Sequence, residues 1–107
     1  MANTFKNAGI EVLASRTTLY TCPVASTAVI HALYLSNVDG TNHVDADIEI
    51  TIDGGTTYRY IGKSLAIPDN STLILDKPIN LEAGDILAIT ASAIDRLEAV
   101  ISILEIS

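Results

Sequence analysis

The sequence predicts an all-β, single-domain antiparallel β-sandwich of jelly-roll type, with seven or eight strands and an extended N-terminal arm. Three observations predict it. Apolar and polar residues alternate with a period of two along nearly the whole chain. The alternating runs are rich in β-branched residues. Between them recur short strings of Gly, Asn, Asp and Pro, at the spacing of two-sheet sandwiches and jelly rolls. A chain of 107 residues has room for one such domain.

The opening "MANTFKNA" has neither periodicity nor apolar density, so residues 1–8 are expected to form an arm and residues 9–107 the sandwich. An arm of this kind either reaches onto a neighbouring subunit or frays, and the sequence leaves both open. Strands are expected over 9–15, 17–22, 27–37, 44–53, 57–63, 71–77, 85–93 and 97–106. "NVDGTN" and "DGGT" carry the residues of hairpin loops, and "IPDNS" and "LEAGD" those of tight turns. Cys22 is the single cysteine, followed by Pro23 with no base nearby, and reads as a passive thiol, buried or half-buried. His31 shares its parity with Val29, Leu33 and Leu35 and is expected in the core.

The strand over 44–53 carries Val44, Ala46, Ile48, Ile50 and Ile52 on one face and Asp45, Asp47, Glu49, Thr51 and Asp53 on the other. Two registers are open to its hairpin. A two-residue loop would set Ile50 against Arg59, mixing charge into the apolar side. A three-residue loop, Gly54-Gly55-Thr56, sets Ile52 against Tyr58 and Ile50 against Tyr60. Because a one-residue slip exchanges the faces, burial is expected to select the second. Arg59 then sits between Glu49 and Asp53, and Lys63 lies across from Asp47, as structural ion pairs of about 0.2–1 kcal/mol each. The acids themselves repeat about 6.8 Å apart along the strand. Their mutual repulsion in water is then only about 0.6 kcal/mol per neighbouring pair. A solvated face is the expected role.

Other chemistries fit less well. Calcium needs six to eight converging oxygens, which a straight strand cannot supply; the better candidate set is Asn37, Asp39, Asn42 and Asp45 in the loop before it. That set lacks the EF-hand pattern and uses the residues of a plain turn. A pair of hydrolytic carboxylates, Asp45/Asp47 or Asp47/Glu49, has suitable spacing but no cleft to raise one pKa. A sugar-binding face wants exposed aromatics, whereas Tyr58 and Tyr60 are expected on the apolar side. Two histidines and one cysteine do not make a zinc site, and no phosphate loop or catalytic grouping is present. No enzyme activity and no cofactor are expected.

Thirteen acids against six bases give a net charge of −7, with no clustered basic patch, so nucleic acid is not an expected partner. Nor is a membrane: no apolar run approaches the ~18 residues of a span. The start shows no secretory leader, and synthesis in a cytoplasm is expected. Yet 49% of residues are hydrophobic, more than a small monomer needs. The last strand shows where some of this goes. Leu97, Ala99, Ile101 and Ile103 line one face, while Val100, Leu104 and Ile106 line the other. Such a strand is central in a packed layer or lies at an interface. Val100, Leu104 and Ile106, with Phe5 in the arm, are the expected contacts of a homo-oligomer.

The phrases "MANTFKN", "TTLYTCP", "AVIHALYLSNVDG", "LDKPINLEAGDILAITAS" and "LEAVISILEIS" together resemble a family of roughly hundred-residue virion structural proteins of tailed bacteriophages, common in phages of cyanobacteria and other aquatic bacteria. The resemblance runs nearly end to end. It rests on Ala2 to Asn7, Thr18 to Thr21, Ala28 to Asn37, Leu81 to Asp85 and Ser102 to Glu105 in that order. It implies a non-enzymatic particle component located in the virion, with other virion proteins as partners and no catalytic residues to carry over. Capsid decoration or cement, a neck or collar position, and a tail or fibre-attachment module all remain open. A host-glycan or calcium-binding module is the alternative from another class.

Overall fold

A computed structural model describes residues 3–107. They form nine strands: β1 (Asn3–Val12), β2 (Thr17–Thr21), β3 (Thr27–Asn37), β4 (Val44–Thr51), β5 (Arg59–Ile67), β6 (Thr72–Leu75), β7 (Ile79–Leu81), β8 (Ile86–Ala91) and β9 (Leu97–Ile106). One sheet has the order β1-β9-β3-β6, with β7 also paired to β3; the other has the order β2-β8-β4-β5. All pairings are antiparallel. Successive strands change sheet except at the β4–β5 hairpin and the β6–β7 link, which is jelly-roll winding.

The core lies between the sheets. Val12, Ile30, Leu33, Leu35, Ile48, Leu87, Ile89, Leu97 and Ile101 are fully enclosed. Burial of each such side chain contributes about 1.5–3 kcal/mol relative to exposure. β9 anchors the first sheet, pairing with β1 on one side and β3 on the other.

Four local differences from the sequence expectations have physical causes. The first strand begins at Asn3, not residue 9, because residues 3–8 pair with β9 from Ile106 to Ile101. Met1 and Ala2 of the expected arm lie outside the described residues. The expected strand over 71–77 ends at Leu75, and a short β7 follows Pro78, which has no N–H to carry a ladder onward.

The third concerns His31, which is exposed rather than in the core. A bulge lies between Ile30, opposite Ile103, and Ala32, opposite Ser102. The extra residue reverses the parity of the strand, so Leu33 and Leu35 reach the core and His31 does not.

The fourth is the β4–β5 register. Ile50 lies opposite Arg59 and Glu49 opposite Tyr60, the pairing that burial was expected to exclude. Asp53 sets the turn: its Oδ1 accepts the backbone N–H groups of Thr56 (3.1 Å) and Thr57 (2.9 Å) and the Thr51 hydroxyl (2.8 Å). Ile52 is 72% exposed, so no core at this end penalises the slip. Two irregularities then restore alternation, giving Ile48 opposite Gly62, Ala46 opposite Leu65 and Val44 opposite Ile67. Gly62 suits this bend, because a Cβ there would lie 2.6 Å from Leu65 Cδ1.

Candidate functional site

The outer face of the first sheet is built by the residues whose neighbours fill the core. Registration across β1, β9 and β3 aligns Phe5, Leu104 and Val29 in one row. A second row crosses all four strands through Gly9, Val100, Tyr34 and Ile74. Asn7, Ser102 and Ala32 lie between the rows, and Ile106 lies beyond the first, between Asn3 and Thr27. Directly opposed residues share a face, so these rows form one apolar surface turned away from the core. Phe5 is 78% exposed and its ring stacks on that of His31, with centroids 6.4 Å apart. Val100, Tyr34 and Ile74 are exposed as well. The expected contacts Phe5, Val100, Leu104 and Ile106 therefore stand together on one sheet face. Sequence periodicity found the β9 half of it; Val29, Tyr34 and Ile74 needed the sheet order.

The acidic strand is organised differently from the sequence expectation. Glu49 is buried and held by Arg16, whose Nε and Nη2 donate to its two carboxylate oxygens at 3.2 and 3.0 Å. The guanidinium also lies 3.8 Å over the centre of the Tyr58 ring. Asp47 accepts the backbone N–H of Ser64 at 2.7 Å, fixing the left-handed residue of the β5 bulge (φ 53°). Asp53 is committed to its own turn, and its several N–H and O–H donors hold its carboxyl below the usual range, the Thr57 amide first among them. Lys63 lies over the Tyr60 ring at 4.6 Å instead of meeting Asp47. Among the described residues neither Lys63 nor Arg59 forms an ion pair with Asp47, Glu49 or Asp53, which corrects the expected set. The cause is the register: Tyr58 and Tyr60 fall on the acid side, and Arg59 falls on the Ile50 side.

The loop proposed for calcium is a hydrogen-bonded turn. Buried Asn37 donates from Nδ2 to the carbonyls of Asn42 (2.9 Å) and Ile67 (3.0 Å), while its Oδ1 accepts the Asp39 amide. Asp39 Oδ1 accepts the amides of Thr41 and Asn42, and Oδ2 faces Arg96 Nε at 3.3 Å. These donors, the Thr41 amide first, lower the Asp39 pKa. Asp45 Oδ1 faces His43 at 3.9 Å. The oxygens are turned to N–H donors, and among the described residues no three His, Cys, Asp or Glu side chains are grouped to hold a metal.

A third polar cluster closes the other end of the sandwich. Buried Glu105 accepts the Tyr20 hydroxyl and pairs with Lys6 Nζ at 3.0 Å, and both lower its pKa, Tyr20 most. Burial and the same carboxylate push the Tyr20 phenol up. Cys22 is buried nearby, with Sγ 3.5 Å from the Ser26 carbonyl oxygen, and burial raises its thiol pKa.

No protein-family model and no curated protein matches the sequence. Solved structures that align with the chain include the following three. A chain from the acid-stable capsid of Helicobacter pylori bacteriophage KHP30 aligns with all of this chain and 94% of its own, at a TM-score of 0.57 and 11% identity. A chain of the disulfide-linked pili that form Bacillus endospore appendages aligns over 99% of this chain and 87% of its own, at 0.57 and 14%. A pentameric capsid protein from metagenomic phage sequences aligns over 92% of this chain at 0.49 and 20%, and the present chain spans 59% of its length. The first two likenesses bear on the fold alone: the chain shares its two-sheet fold with a chain from a phage capsid and with one from a bacterial pilus.

Proposed function

We propose that this protein is a non-enzymatic structural subunit of a tailed-phage virion, a capsid decoration or cement protein or a neck or collar component. It acts by burying the outer face of its first sheet against another subunit. The observation that carries this reading is the pair of apolar rows through Phe5–Leu104–Val29 and Val100–Tyr34–Ile74. A jelly roll needs apolar residues only on its inner sheet faces; a second apolar face is what an assembled subunit needs. The fold shared with the KHP30 capsid chain and the sequence resemblance support the same reading. The pilus chain supports assembly too, but its linkage is by disulfides. Here the one cysteine is buried, which favours non-covalent packing.

The test is sedimentation of the purified chain with and without phage particles. Phe5→Asp and Leu104→Asp are expected to abolish self-association and particle binding while leaving the melting transition cooperative. Unchanged binding by both variants would overturn the reading. Point substitution is preferred to deleting residues 1–8, because that deletion removes most of β1.

A further inference from the structure

Two open sheets have four edges, and three of those in this sandwich are blunted. β2 has only five residues and a register shift between Thr18 and Tyr20. β5 is interrupted on either side of Gly62, holds Ser64 in the left-handed region, and carries Arg59 and Lys63. The far edge of the first sheet is divided between β6, of four residues, and β7, of three, with Pro78 between them. Shortness, bulges, charge and proline are the devices that keep a sheet edge from pairing with another chain. β1 is the contrast. It is ten residues long, contains no proline, and pairs with β9 at every position without a shift. Its one cation, Lys6, is drawn back over its own sheet by Glu105 at 3.0 Å.

Among the described residues β1 pairs with β9 alone, so every second residue turns its N–H and C=O away from the sheet. The open run ends where the Leu13 carbonyl accepts the Ala91 amide and the chain passes to the second sheet. What such an edge takes is an extended strand, and the same strand of a second copy fits it. When two identical edges pair antiparallel, opposed residues have the same parity, since otherwise the outer face of one copy would continue into the inner face of the other. The register centred on Asn7 sets Phe5 opposite Gly9 of the second copy, Lys6 opposite Ala8 and Asn3 opposite Glu11. The largest side chain then meets bare backbone, and no like charges are opposed. A slip of two residues puts Phe5 against Glu11 in one direction and Lys6 against its own copy in the other.

We propose that the open edge of β1 pairs antiparallel with the same edge of a second copy, about a two-fold axis at Asn7, so that the first sheets of two copies become one. The contact is isologous, each copy giving the same strand. With residues 3–11 of both copies engaged, the ladder adds about eight to ten hydrogen bonds. An ordinary interface holds about ten. The inference rests on the structural-subunit reading and adds its geometry. Asn3 to Asn7 are exposed and mostly polar, so this ladder buries little apolar surface. It fixes the arrangement of an association that burial of the outer face drives, and it sets the apolar rows of two copies side by side.

Amide hydrogen exchange on the full chain tests the edge. In the assembled parent, alternate β1 amides are expected to exchange at least tenfold more slowly than in the unassembled Leu104→Asp variant. The amides between them, already bonded to β9, should not change. Proline at a newly protected position (Asn7→Pro if the odd residues gain protection, Ala8→Pro if the even ones do) removes an N–H that the single copy does not use. It is expected to weaken association at least tenfold in sedimentation while melting stays cooperative. The axis is tested by cysteine, the native Cys22 being buried. Directly opposed Cβ atoms lie about 4.5–5.5 Å apart, so oxidation of Asn7→Cys is expected to give a covalent dimer. Phe5→Cys and Gly9→Cys should give one only when mixed with each other. An assembled parent whose β1 amides exchange as fast as those of Leu104→Asp overturns the edge pairing and leaves the structural-subunit reading standing. A parent that is monomeric but still binds particles does the same. Protection without the Asn7→Cys dimer overturns the two-fold axis.

Discussion

Arg16, in the turn between β1 and β2, reaches across to the fourth strand and grips both carboxylate oxygens of Glu49. Glu49 is only 5% exposed, so this fork is its compensation for leaving water. Arg16→Met is expected to lower the melting temperature, because it strands a buried charge. Adding Glu49→Gln should recover part of the loss. Thermal melts of the single and double variants check this, and a double variant less stable than Arg16→Met refutes it.

The two faces of β9 should respond differently. Ile101 is fully enclosed, and Ile101→Ala is expected to destabilise the monomer by about 2–5 kcal/mol. Val100, one residue away and 46% exposed, should change by no more than about 0.5 kcal/mol on replacement by Ala. Urea unfolding at concentrations below self-association separates the two.

Acid should unfold the protein by way of Asp39, Asp53 and Glu105. Their folded pKa values lie below the ordinary 3.8, 3.8 and 4.5. The stability they contribute is therefore complete above those ordinary values and is lost as pH falls through the lower folded ones. Glu11 works the other way, its pKa being raised above 4.5 by Asp95. Its favourable protonated form is fully present below that value and lost as pH rises through the folded pKa. Glu11→Gln should thus stabilise the monomer at about pH 7 and have little effect at about pH 3. Melting temperatures across this range are the measurement.

Cys22 is 1% exposed and its thiol is pushed up by burial. Thiolate-dependent labelling should proceed in native protein only as fast as the chain opens, and rapidly in denaturant. Stoichiometric labelling within seconds under native conditions would contradict this placement.

Calcium, titrated against the full chain, should leave the melting transition where it is, since the Asp39 oxygens already serve two amides and Arg96. Asp39→Ala should lower it in calcium and chelator alike.

The parts of the fold legible in the sequence were those that obey one rule over many residues. The alternation of Leu97 to Ile106 predicted both the buried row and the exposed row of β9, and "LEAGD" predicted a turn in which Gly84 has φ 87° and Asp85 accepts the Glu82 amide. What failed were single-residue insertions. The extra residue at His31 reversed a strand's parity, and the bulges around Gly62 and Ser64 absorbed a hairpin register that alternation alone disfavoured. Partners distant in sequence were also illegible: no local pattern joins Arg16 to Glu49 or Tyr20 to Glu105.

The placement of β9 between β1 and β3 also governs how the molecule is made. A chain growing from its N-terminus holds β1 and β3 without the strand that joins them until residues 97–106 have emerged. β1 therefore waits, with its ladder groups uncovered, while more than eighty residues of intervening sequence are synthesised, and the edge of β3 that receives β9 waits for more than fifty. Closure across such a separation is slow compared with local pairing. Nascent copies crowded on one message would meet one another in this open condition, when strand exchange between them competes with correct completion.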